Sequence, residues 1–214
     1  MNTRHFRRLA LAVSAAAVLP LALTACSGDS DTSASGSGAG AAKASSGAPA
    51  EKTASADQPF GPACSTVPQD GAGSFAGMAK DPVATAASHN PALSTLVAAV
   101  KQAGLVDTLN NAQDITVFAP TDDAFAKIPK ADLDKLLADK AQLTEVLTSH
   151  VVGRRLAPGQ LDKGSFETLA KSKLTTSGAD TMYTVNDSAK VVCGNVRTAN
   201  ATVYIIDSVL MPMG

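Results

Sequence analysis

The stretch Ile115-Thr-Val-Phe-Ala-Pro-Thr-Asp-Asp-Ala-Phe-Ala-Lys-Ile128 decides how the rest of the chain is read. Ile115, Val117 and Phe118 suit a buried β-strand, and Pro120 ends it because proline cannot donate to a ladder. Thr121 falls where a helix N-cap belongs. Asp122 and Asp123 fall in the first turn, where the helix dipole favours negative charge. Phe125 and Ile128, three residues apart, share a helix face and return it to the core. The stretch is a strand–cap–helix joint.

Upstream, Asp81-Pro82 and Asn90-Pro91 each place a capping residue before proline, which predicts helices over 82–89 and 91–103. In the second, Leu93, Leu96, Val97 and Val100 form one apolar stripe, and Gly104 is placed to stop it. Leu105, Val106 and Leu109 add a short helical turn. Downstream, Leu133, Leu136 and Leu137 mark an amphipathic helix with Asp132, Asp134 and Lys135 outward. Leu143, Val146, Leu147 and His150 repeat the same spacing, so His150 rides on a buried face. There it is expected to be a core histidine whose ring nitrogens meet backbone groups. From Val151 the period shortens to two. Strands are predicted over 151–152, 173–176, 182–185, 190–193 and 202–209, with turn signals at Pro158-Gly159 and Lys163-Gly164. Helices first and strands later give an α+β fold class.

The 214 residues carry a net charge of −1 and no tryptophan, and the glycine and alanine bias concentrates before residue 62. One domain plus extra sequence follows. No lysine or arginine run occurs beyond the N-terminus, which argues against a nucleic-acid partner. Arg4, His5, Arg7 and Arg8 precede an apolar run over 9–25 that ends in Leu23-Thr24-Ala25-Cys26. The run is short for a span of ~20 residues and holds Ser14, Pro20 and Thr24, so a signal peptide over 1–25 is predicted. Its ending resembles the lipobox of bacterial lipoproteins, making Cys26 the expected lipidation site and the expected contact with the membrane. Several acyl chains on one cysteine hold stably, at ~0.8 kcal/mol per buried CH₂. Removing a leader with Arg4, Arg7 and Arg8 and no acid leaves 15 basic against 19 acidic side chains, a net charge of −4. Residues 26–60 are rich in Gly, Ala and Ser and almost free of large apolar side chains, so a disordered tether is expected there. As a flexible coil it would span roughly 30 Å. An N-terminal arm over 61–74 and a globular domain over 75–212 complete the layout.

Three cysteines is an odd count. With Cys26 lipidated the remainder is even, and an oxidising exterior predicts a Cys64–Cys193 disulfide. Two distant cysteines with His89 and His150 do not make a zinc set, so neither metal nor cofactor is expected.

The joint at 115–128 also resembles, as a string, the first signature motif of the fasciclin domain family. Ser149-His150-Val151-Val152 resembles the family's central Tyr-His motif, and Asn200-Ala-Thr-Val-Tyr-Ile-Ile-Asp-Ser-Val-Leu-Met-Pro212 its closing motif. The likeness covers nearly all of 75–212 and is greatest to mycobacterial-type secreted and lipid-anchored members. It implies a single fasciclin-like domain, a seven-stranded β-wedge with helices packed beside it, active in adhesion or interaction. It also implies structural roles for Thr121, Asp122, Phe125, His150, Asn200 and Asp207. Departures limit the transfer. Ser149 replaces the motif tyrosine, Ala201 a common glycine and Tyr204 a common histidine. Asn195-Val196 stands where animal members carry an Asp-Ile pair implicated in integrin contact, so an integrin-type ligand is not carried over. Asn186-Asp-Ser188 and Asn200-Ala-Thr202 fit the glycosylation sequon but read as turn residues.

Three functions compete. The layout of leader, anchor, tether and one domain favours an adhesin or interaction module at the outer face of a bacterial membrane, monomeric or weakly self-associating, with an unidentified protein or matrix partner. A carrier or sensor of an apolar small molecule is the alternative, if strands and apolar helices enclose a pocket rather than filling it. Catalysis finds little support. No Gly-x-Ser-x-Gly, His-Glu-x-x-His or phosphate-binding glycine loop occurs, and the adjacent Asp122 and Asp123 point apart on a helix.

Overall fold

Strand β1 (Ile115–Pro120) is buried at all six positions because each of its faces meets a different core. The computed structural model describes residues 58–211, so the leader, Cys26 and the tether up to residue 57 lie outside the described residues. Ahead of β1 come α1 (Phe75–Met78), α2 (Val83–Ser88), α3 (Ser94–Ala103) and α4 (Val106–Asn111). After it come α5 (Asp122–Ala126), α6 (Lys130–Ala138) and α7 (Lys140–Ser149). Six strands follow: β2 (Val151–Val152), β3 (Lys163–Glu167), β4 (Lys173–Ala179), β5 (Met182–Val185), β6 (Ala189–Arg197) and β7 (Ala201–Ile206). This is the expected α+β architecture with seven strands.

The strand order is β2-β1-β7-β6-β5-β4-β3. β1 and β7 run parallel, with Ile115 opposite Ala201 and Pro120 opposite Ile206, and the other neighbours are antiparallel. Val152 bridges Thr168, just beyond β3, and the Leu169 N–H donates to the Val151 carbonyl at 2.8 Å. The two ends of the sheet thus come together into a barrel-like wedge. Register shifts at Val191, Cys193 and Val196 bend the nine-residue β6, so that one strand serves both halves.

Alternation along the central pair separates the two cores. Ile115, Val117 and Ala119 of β1 and Ala201, Val203 and Ile205 of β7 face the helices, among Leu96, Val100, Leu143 and Val146. Phe118, Tyr204 and Ile206 face the wedge interior, with Leu156, Leu174 and Val185. The Phe118 and Tyr204 rings stack at 5.7 Å, and Phe60 meets Tyr183 edge-on at 5.5 Å.

Phe60 extends the folded body further toward the N-terminus than the expected tether boundary. It is 6 % exposed, pairs with Gly194 through two backbone hydrogen bonds, and lies so close over Gly194 that a side chain there would collide with its ring. Cys64, in the 3-10 turn Pro62–Thr66, is joined to Cys193 by a disulfide spanning 129 residues. A bridge closing so long a loop limits the unfolded chain by up to roughly 5 kcal/mol in the chain-entropy picture.

Several local expectations need correction. Lys163-Gly164 opens strand β3 rather than making a turn, with Lys163 opposite Ser177. A Cβ at Gly164 would press on the Phe166 ring and the Thr176 hydroxyl, so any side chain there would have to displace them. Pro82, not Asp81, occupies the N-cap of α2, and Asp81 faces His89 at 3.4 Å instead. The helix expected over 91–103 opens as a 3-10 turn, Pro91–Leu93, before α3 begins. Strand β6 runs on to Arg197, and β7 stops at Ile206. Gly104 does stop α3, at φ 73°, the left-handed value that suits glycine.

Candidate functional site

The motif side chains do not converge on one another. Each ties together elements remote in sequence. Thr121 caps α5, its hydroxyl accepting from Ala124 N at 3.1 Å, and Phe125 is buried in the helix-side core. Asp122 serves a different helix. Its carboxylate accepts from Ser94 Oγ at 2.6 Å and Thr95 N at 2.7 Å, supplying the cap that Leu93 cannot give α3. Burial pulls this carboxyl upward, but the Ser94 and Thr95 hydrogen bonds together outweigh it and leave the group below its ordinary value.

Asn200 performs the same service twice. Its side-chain oxygen accepts from Val83 N at 2.8 Å, at the start of α2, where Pro82 offers no side-chain cap. Its amide nitrogen donates to the carbonyls of Leu109 at 2.8 Å, Asn110 at 3.2 Å and Ala112 at 2.7 Å, where α4 ends. One buried amide therefore closes two helix termini whose backbone groups lack partners within the helix. Asp207 joins β7 to β6 and α5. It accepts from Lys190 N at 2.8 Å and pairs with Lys127 at 3.2 Å. Burial again pushes this carboxyl up, but the Lys190 N–H and Lys127 bring it below its usual range.

His150, 2 % exposed, sits at the end of α7. Nδ1 lies 2.7 Å from the Val146 carbonyl, and Nε2 accepts from Leu210 N at 2.9 Å. A carbonyl on one side and an N–H on the other fix the neutral tautomer with its proton on Nδ1. Burial pushes the imidazole down to about 4, against the smaller opposing pull of the Val146 carbonyl. The ring is a neutral bolt between α7 and the chain beyond β7.

Sequence reasoning missed other fasteners. Thr116 donates to the Arg154 carbonyl and accepts from Leu156 N, both at 2.8 Å, and the Tyr204 hydroxyl donates to the Leu156 carbonyl at 3.0 Å. Together they pin the 153–157 loop under the wedge. Burial, with a smaller contribution from Tyr183, raises the Tyr204 hydroxyl well above the ordinary phenol range. The apolar residues of β1 and the two-residue period beyond Val151 gave a signal for buried strands, but nothing in the string pointed to these partners. Asn195, at a bulge with φ 56°, is 2 % exposed and donates to the Gln58 carbonyl at 3.2 Å, so this position holds the arm in place. Among the described residues, no three His, Cys, Asp or Glu side chains gather as a metal site would require.

What the fold does enclose is space. A cavity of about 270 Å³ lies between helices α2, α3 and α4 and the helix-facing side of β1 and β7. Its floor includes Val117 and Val203, and its mouth is edged by the half-buried Ala84, Ala87, Val97 and Val106. Lys101, exposed on α3, is the one ionised side chain among the lining residues.

The family model described as the fasciclin domain matches residues 91–212. The chain belongs to the fasciclin domain family. It is 52 % identical over 147 residues to the cell surface glycolipoprotein MPB83 of Mycobacterium bovis, covering 66 % of each chain, just under two thirds of that relative. It is 46 % identical over 167 residues to the immunogenic protein MPB70 of the same species, covering 74 % of this chain and 85 % of the relative. Among solved structures, the fasciclin domain pair of the insect cell adhesion molecule fasciclin I matches with a TM-score of 0.48 at 22 % identity, over 56 % of this chain and 45 % of that one. Asp122 and Asn200 fasten the helices of this fasciclin domain, and His150 and Asp207 fasten the far ends of its strands.

Proposed function

We propose that this chain is an exported, lipid-anchored surface protein whose fasciclin domain binds a protein or matrix partner outside the cell, without catalysis. The observation that carries the reading is the 52 % identity to a relative named a cell surface glycolipoprotein, joined to a leader ending in Leu-Thr-Ala-Cys26. Commitment of the motif side chains to backbone partners supports the non-enzymatic part. Asp122, His150, Asn200 and Asp207 each hold an element end, leaving none of them available as an acid, base or nucleophile. Lipidation at Cys26 would leave residues 27–57 as the spacer between membrane and domain.

Cell fractionation tests the anchor, and attachment tests the domain. Cys26→Ala is expected to move the protein from the membrane fraction to the medium, or to leave uncleaved precursor. A variant that stays membrane-bound and acylated sinks the anchor. Deleting residues 58–214 from the anchored chain is expected to abolish recovery of surface partners by proximity labelling. Unchanged labelling and unchanged attachment would remove the interaction role.

A further inference from the structure

We infer that the cavity between α2, α3, α4 and the sheet is a binding site for a single-chain anionic amphiphile of fatty-acid type, its tail inside and its carboxylate at Lys101. The inference stands apart from the adhesive reading, which concerns the protein's outer surface.

Three observations carry it. The first is the chemistry of the wall. Leu96, Val100, Leu109, Val117 and Val203 present hydrocarbon, and several of the polar side chains beside them are already committed to backbone partners. Ser88 donates to the Thr85 carbonyl at 2.6 Å, Thr148 to the Thr144 carbonyl at 2.7 Å, and both His150 nitrogens meet backbone groups. A polar ligand would be stripped of water and offered little in return, whereas a hydrocarbon tail meets a mostly hydrocarbon wall.

The second is volume. An apolar cavity of about 150 Å³ stays dry and takes one benzene. The 270 Å³ enclosed here is therefore room for a chain of about ten to twelve carbons. Small side chains make the space. Ala84, Ala86 and Ala87 on α2 present methyl groups where larger residues would close it.

The third is the placement of charge. Lys101 is the one ionised lining residue, lies exposed at the mouth, and makes no ion pair among the described residues. It lies in the last turn of α3, where a cation also suits the helix dipole. A carboxylate head at the mouth would stay hydrated and face this ammonium, so a neutral or cationic head is the poorer match.

The test uses the full chain carrying Cys26→Ala, which bears no acyl chain of its own, purified without detergent. It is titrated by calorimetry with laurate, dodecanol and dodecyltrimethylammonium, and stoichiometry is read by native mass spectrometry. The expected result is one laurate per chain, with dodecanol weaker and the cation weakest. Lys101→Glu should weaken laurate about fivefold, the modest effect of a solvated charge, while dodecanol binding and the thermal midpoint stay as they were. Failure of the Cys26→Ala chain to take up laurate overturns the site. Equal laurate affinity with and without Lys101→Glu, or a cation bound as tightly as laurate, overturns the anionic assignment.

Discussion

The two faces of the β1–β7 pair are filled in different ways. Five of the seven aromatic side chains of the described residues (Phe60, Phe118, Phe166, Tyr183 and Tyr204) lie on the wedge side, leaving Phe75 and Phe125 to the helix side. The wedge side is packed ring against ring, and the Tyr204 hydroxyl is tied to the Leu156 carbonyl. The helix side is built mostly from Ala, Val and Leu and retains about 270 Å³ of space. Alternate residues of the same two strands thus serve a rigid interior and a looser one. Burial of a strand on both faces does not mean that both faces are filled to the same density.

The largest expected effect tests that contrast directly. Phe118→Ala should cost about 4 kcal/mol, because the wedge side cannot collapse around the hole. Leu96→Ala, beside the existing cavity, should cost about 2.5 kcal/mol, at the low end for such a truncation. Urea unfolding of both variants gives the comparison. Equal costs would mean that the helix side is packed as tightly as the wedge.

Next in size is the buried amide that serves both ends of the helical layer. Asn200→Ala leaves Val83 N and three carbonyls without their side-chain partner. The expected loss is about 3 kcal/mol, from several unmet buried groups. Hydrogen exchange should show it first at α2 and α4, and protection lost uniformly across the strands would contradict a helix-side role.

The imidazole at the end of α7 responds to pH. The His150 value falls from 6.5 to about 4 on folding, so the folded state resists a proton that the unfolded chain accepts. Stability is therefore undiminished above pH 6.5 and declines as pH drops toward 4, by about 2 kcal/mol at pH 5. Asp122 and Asp207, whose carboxyls are lowered, act only in the more acidic range below their ordinary value of 3.8. The interval from pH 6.5 to 5 therefore separates the His150 contribution from those of the two carboxylates. Imidazole NMR shifts for His150 should stay flat through that interval while the urea midpoint falls, and titration of the ring near 6.5 would refute the linkage.

The sequence made some of this legible because the signals were local. Pro91 after Asn90, Gly104 after α3 and the apolar Ile115, Val117 and Phe118 each work within a few residues, and each pointed to the right element. His150 was readable as a buried face residue from its spacing with Val146 and Leu147. The long-range partners were not readable. Asp122 looked like a dipole-facing residue of its own helix, yet its carboxylate caps α3 from 27 residues away. Asn200 looked like a turn residue but spans 117 positions to Val83. Strand β3 was lost because Lys163-Gly164 has turn composition, while its pairing with β4 depends on tertiary closeness to Thr176. The cavity follows from where the alanines of α2 face the Leu and Val side chains of α3 and α4, which no linear period displays.

The smallest effect separates the two faces most cleanly, because it runs in opposite directions. Ala87 stands half-buried at the cavity mouth, and Ala189 is fully buried on the wedge side. Ala189→Leu adds three carbons to a filled interior, and about 2 kcal/mol of destabilisation is expected from forced rotamers and backbone shifts. Ala87→Leu adds the same carbons beside empty space. Burying them there offsets the cost of ordering the longer side chain, so stability should change by no more than about 0.5 kcal/mol or rise slightly. The same Ala87→Leu side chain occupies room otherwise open to an acyl tail, so laurate uptake should fall while the fold is unharmed. A loss of stability equal to that of Ala189→Leu would show that the space closes in solution. The contrast between the two faces would then be one of composition alone.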